Sequence, residues 1–272
     1  MPVERIHWDD LPLDARRAVE QHTGTVLRAE TARAGANSGI AATIHTAGGT
    51  LFVKGLPSEH PQARTQQREA DVGPHLPASS PRLLWRVRAA GWDLIGYQHL
   101  VGRHADYSPG SPDLPLVAAA LVELQSTPCP GAELKRAEQR WAAYAGPAGT
   151  GCLAGDTLLH TDLAPHNVLI STDRAHLIDW AWPTRGAAWI DPAVLVLRLM
   201  EAGHSAPQAD TWAREHFASW AGAPPTAVAA FSEANAGLWD EIARNDGQDW
   251  KKGMARQAND WVSYRRSLRW AS

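Results

Sequence analysis

The chain changes its periodicity once, near residue 100, and this change confines it to a protein with a β-rich first part and a mainly helical second part. Before that point, runs at 25–30, 40–46 and 51–54 are rich in β-branched residues and separated by Gly35-Ala36-Asn37-Ser38-Gly39 and Gly48-Gly49, which predicts an antiparallel meander. Runs 83–87 and 92–97, joined by the turn Ala89-Ala90-Gly91, add two further strands. A capped start at Asp9-Asp10 leads into a short helix over 15–22, and 62–76 has helical composition closed by Pro77 and Pro81. After Gly102, a loop over 103–113 gives way to helical periodicity at 114–125, 131–145, 193–201, 208–220, 225–244 and 250–270. The exceptions are 157–170 and 175–179, where short apolar runs enclose a polar loop. The fold class expected is α+β, with an N-terminal antiparallel sheet plus helix over 1–100 and a helical lobe over 101–272.

Composition narrows the partners. A chain of 272 residues with 44% hydrophobic and 20% charged residues has ordinary globular usage, so a disordered chain or a disulfide miniprotein is excluded. Twenty-six basic against 29 acidic residues leave no broad cationic surface, so nucleic acid is not expected as a partner. No membrane span is expected, and the first ten residues lack the apolar stretch of a signal peptide, so the expected location is cytoplasmic. Cys129 and Cys152 show no metal-type spacing and are assigned no role. The charge is uneven: 101–180 holds 5 basic and 9 acidic residues (−4), whereas 181–272 is balanced at 10 and 10.

The acidic segment contains the most specific pattern. His160-Thr161-Asp162-Leu163-Ala164-Pro165-His166-Asn167 lies between apolar runs, and Leu177-Ile178-Asp179-Trp180 follows. Phosphoryl transfer needs such a set, with one carboxylate to orient and deprotonate an attacking hydroxyl and hard oxygen ligands for Mg²⁺. His-x-Asp-x-x-x-x-Asn followed by hydrophobic-Asp-aromatic matches the spacing of a kinase catalytic loop and its metal-binding Asp. Upstream, the strand Leu51-Phe52-Val53-Lys54 ends in a lysine, and Glu69 follows fifteen residues later in the predicted helix. That is the order required of a phosphate-holding lysine and its acidic helix partner. Gln98, His99 and Leu100 lie on a connector at the lobe boundary, where backbone groups would meet a nucleotide base.

On these residues the chain resembles the aminoglycoside phosphotransferase and choline-kinase-like family, small-molecule relatives of the protein kinases, over nearly its whole length. The resemblance implies a two-lobed protein-kinase-like fold using ATP or GTP with Mg²⁺. It implies that Lys54 holds phosphates, Glu69 holds Lys54, Asp162 is catalytic, and Asn167 and Asp179 are Mg²⁺ ligands. Ile190-Asp191-Pro192-Ala193 resembles the family's Asp-Pro-Ala segment, which assigns Asp191 to support of the catalytic loop, and His160 is read as a second support. The family often has His-Gly-Asp where this chain has His160-Thr161-Asp162, and the Gly35–Gly39 stretch, including Ser38, matches the nucleotide-covering loop only loosely. No P-loop motif occurs.

The implied acceptor is a small-molecule hydroxyl of an antibiotic or aminosugar type, with a sugar, amino alcohol or nucleoside as the alternative. Eight of the 13 tryptophans lie beyond Trp180, and Trp182, Trp239 and Trp250, with Asp240, are the candidate substrate contacts. A stripe such as Trp261, Tyr264 and Leu268 reads instead as core-facing. Arg198, Arg256, Arg265 and Arg266 could touch a phosphate or an acidic substrate, with solvated helix faces as the default reading. A catalytically silent nucleotide-binding module would lack the lysine or a metal ligand, and all are present. A protein kinase would need a longer segment between Asp179 and Asp191 to dock a peptide. Oligomeric state is not legible.

Overall fold

The computed structural model describes residues 4–32 and 38–268. Gly35, Ala36 and Asn37 of the loosely matched loop, and Trp270, lie outside the described residues. The chain divides into two compact units, one reaching to Val101 and including Asp179–Ala181, the other made of Gly102–Ile178 and the chain from Trp182 onward.

In the first unit the order is α1 (Leu13–Thr23), β1 (Val26–Thr31), β2 (Ile40–Thr46), β3 (Gly49–Pro57), α2 (Ala63–Val72), β4 (Leu83–Ala89) and β5 (Trp92–Gln98). The strands form one antiparallel sheet in the order β1-β2-β3-β5-β4. Alternation along each strand gives the sheet two apolar faces. Ile40, Ala42, Ile44, Val53 and Leu94 pack with Trp8, Leu11, Ala15 and Val19, while Ile95, Tyr97 and Phe52 pack with Ala70 of α2. Lys54 follows Val53 and so shares the α2 face with Phe52, which brings its ammonium to Glu69. The helix expected over 62–76 stops at Val72, and Gly73–His75 tightens into a 3₁₀ turn, because Pro74 has no N–H to continue the ladder.

One close approach on this sheet sets a testable limit. A Cβ at Gly96 would fall 2.1 Å from Cε2 of Trp85, whose indole lies across that position. Trp85 is itself held by the His22 ring of α1, 5.8 Å away centroid to centroid. Gly96→Ala is therefore expected to cost about 2 kcal/mol through overpacking, lowering the melting temperature by roughly 5 °C. An unchanged thermal denaturation midpoint would refute this packing.

The second unit contains β6 (Arg103–His104), α3 (Asp113–Gln125), β7 (Lys135–Arg136), α4 (Ala137–Arg140), β8 (Thr157–Leu159), β9 (Val168–Ile170), β10 (Ala175–Leu177), β11 (Thr184–Gly186), α5 (Ile190–Glu201), α6 (Ala206–His216), α7 (Ala218–Ala221), α8 (Pro225–Asn245) and α9 (Asp249–Leu268). Its strands form two small sheets, β10-β9-β6 and β7-β11-β8. Every residue of α5 from Ile190 to Met200 is buried, as expected of a helix that is apolar all round. Leu197 of α5 packs with Ala236 of α8 and Met254, Ala258 and Val262 of α9.

Three sequence expectations change here. The helix expected over 131–145 is instead β7, one turn of α4 and a 3₁₀ turn over Ala142–Tyr144. The parallel pairing of Lys135 and Arg136 with Thr184 and Arg185 claims their backbone groups, and only Ala137 and Trp141 are buried beyond it, too few for a continuous helix face. The helix expected over 208–220 breaks at Phe217, which is extended and fully buried. The stripe on α9 differs too, since Leu268 is exposed and the buried face runs Met254, Ala258, Trp261, Val262 and Arg265.

Candidate active site

The first unit builds one constellation from three distant points of the sequence. Lys54 Nζ at the end of β3 lies 2.6 Å from Glu69 Oε2 on α2 and 2.9 Å from Asp179 Oδ1. Burial alone would lower the lysine pKa, but the two carboxylates more than reverse this and hold it well above its ordinary value. Burial pushes the Glu69 carboxyl up, with Lys54 opposing. Burial and the Glu69 charge also push the neighbouring Tyr97 hydroxyl well up. Asp179 sits at φ 61°, a left-handed conformation that is uncommon outside glycine and concentrates at functional sites.

The second unit builds the other constellation on the loop between β8 and β9. Asp191, in the first turn of α5, accepts the backbone N–H groups of His160 and Thr161 at 2.8 Å each. Burial raises its pKa, and those two donors oppose the shift. His160 Nδ1 accepts the Asp162 N–H at 3.3 Å and Nε2 lies 2.9 Å from the Ile178 carbonyl, so the ring spends both nitrogens on holding the loop. Asn167, buried at the end of a 3₁₀ turn, donates from Nδ2 to the Asp162 carbonyl at 3.1 Å. With its nitrogen so engaged, the amide oxygen is the remaining acceptor of the side chain. The Asp162 side chain keeps about a third of its surface, 34%.

Asp162 has a partner that sequence reading missed. Arg198 Nη2 lies 3.4 Å from Asp162 Oδ1, and Nη1 lies 2.9 Å from Glu201 Oε2. Its guanidinium carbon is 5.4 Å from the Trp239 ring centroid. Arg198 is therefore buried beside the loop between β8 and β9, and not on a solvated helix face as expected. The signal was in the sequence: a lone cation within Val194-Leu195-Val196-Leu197-Arg198-Leu199-Met200 must be buried, and buried charges are paired. Arg265 departs in the same way, buried and paired with Asp210 at 3.1 Å, while Arg256 and Arg266 are exposed as expected.

The candidate substrate residues separate. Trp182 is half-buried, accepts the Thr161 hydroxyl at its carbonyl at 3.0 Å, and carries the Lys135 ammonium 4.4 Å from its ring centroid. Trp239 and Trp250 meet edge to face at 6.2 Å, and Trp250 remains 49% exposed. Asp240 accepts from Asn259 Nδ2 at 3.0 Å. Trp189, Trp220 and Trp261 are core residues around Phe231. In the first unit, Gln98 is exposed at the end of β5, His99 and Leu100 are half-buried, and the Ser38 carbonyl accepts from Arg5 Nε at 3.2 Å. Two open concavities of that unit, about 400 and 350 Å³, are lined by neither Lys54, Glu69 nor Asp179.

The donor atoms of the two units are of the hard, oxygen type. Asn167 in the second unit carries an amide oxygen and Asp179 in the first a carboxylate, each a kind of hard donor that Mg²⁺ takes. Among the described residues no group of three His, Cys, Asp or Glu forms an all-protein cage. Cys129 and Cys152 are both free thiols. No helix of the described residues is long and apolar enough to cross a membrane.

No family model and no curated protein matches the chain in sequence. Solved structures match it closely in shape. Aminoglycoside phosphotransferase APH(4)-Ia aligns at a TM-score of 0.65 and 14% identity over 93% of this chain and 98% of its own. Choline kinase LicA from Streptococcus pneumoniae aligns at 0.60 and 13% over 92% and 98%. An aminoglycoside phosphotransferase homologue from Ralstonia eutropha aligns at 0.57 and 13% over 93% and 97%. The chain therefore has the kinase-like fold shared by the aminoglycoside phosphotransferases and choline kinase.

Proposed function

We propose that the protein is an ATP-dependent O-phosphotransferase that moves the γ-phosphoryl group to a hydroxyl of a small molecule of antibiotic or aminosugar type. The observation that carries this reading is the meeting of Lys54 with Glu69 and Asp179, the last 125 residues away in sequence. An ammonium kept charged between two carboxylates is suited to exchanging one of them for nucleotide phosphate oxygens. Structures of the same fold are complexes with ADP and hygromycin B, and with AMP.

In this reading Asp162 accepts the hydroxyl proton as the acceptor oxygen bonds to the γ-phosphorus and the bond to the β-phosphate oxygen breaks, leaving ADP and a phosphate monoester. Lys54 orients the donor phosphates, and Glu69 orients Lys54. Arg198 fixes the Asp162 carboxylate, while Asp191 and His160 fix its backbone. Asn167 and Asp179 would hold Mg²⁺, which when bound neutralises phosphate charge. Gln98, His99, Leu100 and Ser38 are assigned to the nucleotide, and 1–100 and 101–272 to the nucleotide-binding and acceptor-binding domains.

Trp182, Trp239 and Trp250 favour a ring-bearing acceptor. Asp240, Glu241, Asp246 and Asp249 form an acidic group around the end of α8 and the start of α9, but it is less available to a polycation than its charges suggest, because Asp246 pairs with Lys251 and Asp249 with Lys252. The test is a panel of hydroxylated antibiotics, aminosugars, sugars, amino alcohols and nucleosides incubated with ATP or GTP, with and without Mg²⁺. The expected result is acceptor-dependent ADP release with a mass gain of one phosphoryl group. Folded, nucleotide-binding protein that transfers phosphate to none of these classes would overturn the assignment.

A further inference from the structure

Residue 161 carries an unexplained cost. Thr161 is β-branched yet sits at φ 64°, in the left-handed region. Such a conformation costs a non-glycine residue about 1–3 kcal/mol, whereas glycine enters it freely. Three hydrogen bonds over-determine it. The Thr161 N–H donates to Asp191 Oδ1 at 2.8 Å, and its hydroxyl donates to the Trp182 carbonyl at 3.0 Å and accepts from Arg140 Nη1.

Arg140, the last residue of α4, makes this more than a local turn. The same Nη1 donates to Thr184 Oγ1 at 3.1 Å, and that hydroxyl in turn donates to the same Trp182 carbonyl at 2.9 Å. Both protons of one guanidinium nitrogen are thus spent on two hydroxyls that converge on one carbonyl. The guanidinium carbon lies 4.7 Å from the Trp141 ring centroid and 5.5 Å from that of Trp182, which fixes its plane. Among the described residues Arg140 forms no ion pair within 4.0 Å. Burial pushes its pKa down to about 10, with Asp162 and Asp191 opposing from a distance, so it remains a cation at neutral pH. Arg140 is half-buried and has no carboxylate within ion-pair distance among the described residues, so salt-bridge stability does not account for its place here.

We propose that Arg140 is a positioning residue for the Asp162 loop: it locks Thr161 in its left-handed conformation and joins it to the 182–184 segment, setting the direction in which Asp162 leaves the backbone. This rests on reading Asp162 as the proton acceptor. It gives this chain a way to place a threonine where glycine would need no clamp.

The test combines kinetics with amide hydrogen exchange. Arg140→Met is expected to lower kcat for ADP release from MgATP, with the best acceptor of the panel or with water, by about 10–100-fold, with KM for ATP within threefold. Arg140→Lys should not restore it, because an ammonium cannot present a planar, stacked pair of donors. Adding Thr161→Gly to Arg140→Met should recover at least fivefold of the loss. Exchange of the His160 and Thr161 amides should quicken at least tenfold in Arg140→Met, a readout that needs no turnover. If Arg140→Met does not fold, Arg140→Gln and the Arg140→Met/Thr161→Gly double variant carry the same comparison.

Unchanged exchange at 160–161, kcat within twofold of the parent, equal loss of kcat and ATP affinity, or no gain from the glycine would overturn the inference. Its failure is separable from failure of the functional reading. The reading falls if an Asp162 variant retains turnover, whereas the clamp falls on the Arg140 variants and the exchange data alone.

Discussion

Asp162→Asn is expected to lower turnover by about 10²–10⁴-fold while leaving the fold in place. The substitution keeps the size of the side chain and removes the charge that accepts the proton in the proposed mechanism. Little in the surroundings should collapse. The loop backbone is held by Asp191 through the N–H groups of His160 and Thr161, and Arg198 retains Glu201 at 2.9 Å when the Asp162 charge is gone. The loss should therefore appear in kcat, with KM for ATP changed by no more than a few fold, because the proposed mechanism has Asp162 act on the acceptor and not on the donor. Near-ultraviolet circular dichroism is a suitable check on folding, since the core tryptophans report on tertiary packing. Turnover within tenfold of the parent in a folded variant would sink the mechanism.

Lys54→Met should be nearly as damaging to activity and more damaging to stability. If Lys54 orients the donor phosphates as proposed, its removal is expected to cost about 10²–10³-fold in kcat/KM for ATP. The stability cost arises because Glu69, 4% exposed, then stays buried without the ammonium that lay 2.6 Å away. Breaking such a pair costs about 3–5 kcal/mol. The pH dependence follows from the direction of the Glu69 shift, which burial already drives upward. A carboxyl whose folded pKa is raised contributes its stability below the unfolded value of about 4.3 and loses it as pH rises through the folded value. Without Lys54 that folded value rises further, so Lys54→Met should melt closer to the parent at pH 5 than at pH 8. Adding Glu69→Gln should recover much of the stability at pH 8 and none of the activity. Activity restored along with stability would mean that Lys54 has only a structural role.

Legibility differed by residue, for physical reasons. The strands and α2 of the first unit were readable because one sheet face is built from alternate residues, and that alternation also carries Lys54 to Glu69. Asp191 was readable because it opens a helix next to a recognisable Asp-Pro-Ala segment. Arg198 was readable in principle, as a lone charge in an apolar helix, but its partner was not, because Asp162 lies 36 residues away. Arg140 carried no signal. It sits in a polar stretch that suggested an ordinary helix, and the pairing of β7 with β11 is what ends that stretch in a single turn beside Thr161.

The sequence by itself determined the two periodicities, the fold class and the chemical groups His160, Asp162, Asn167 and Asp179 with their spacing, because these depend on local pattern and on residue type. Only the tertiary structure decided which cations serve them. Lys54 and Glu69 were already paired in the sequence, but that Lys54 also meets Asp179, that Arg198 reaches Asp162 and that Arg140 spans two threonines on separate segments was not legible there. Such choices depend on long-range proximity and burial. A buried charge must find its counter-charge or its donors wherever packing puts them, and no spacing in the chain records that distance.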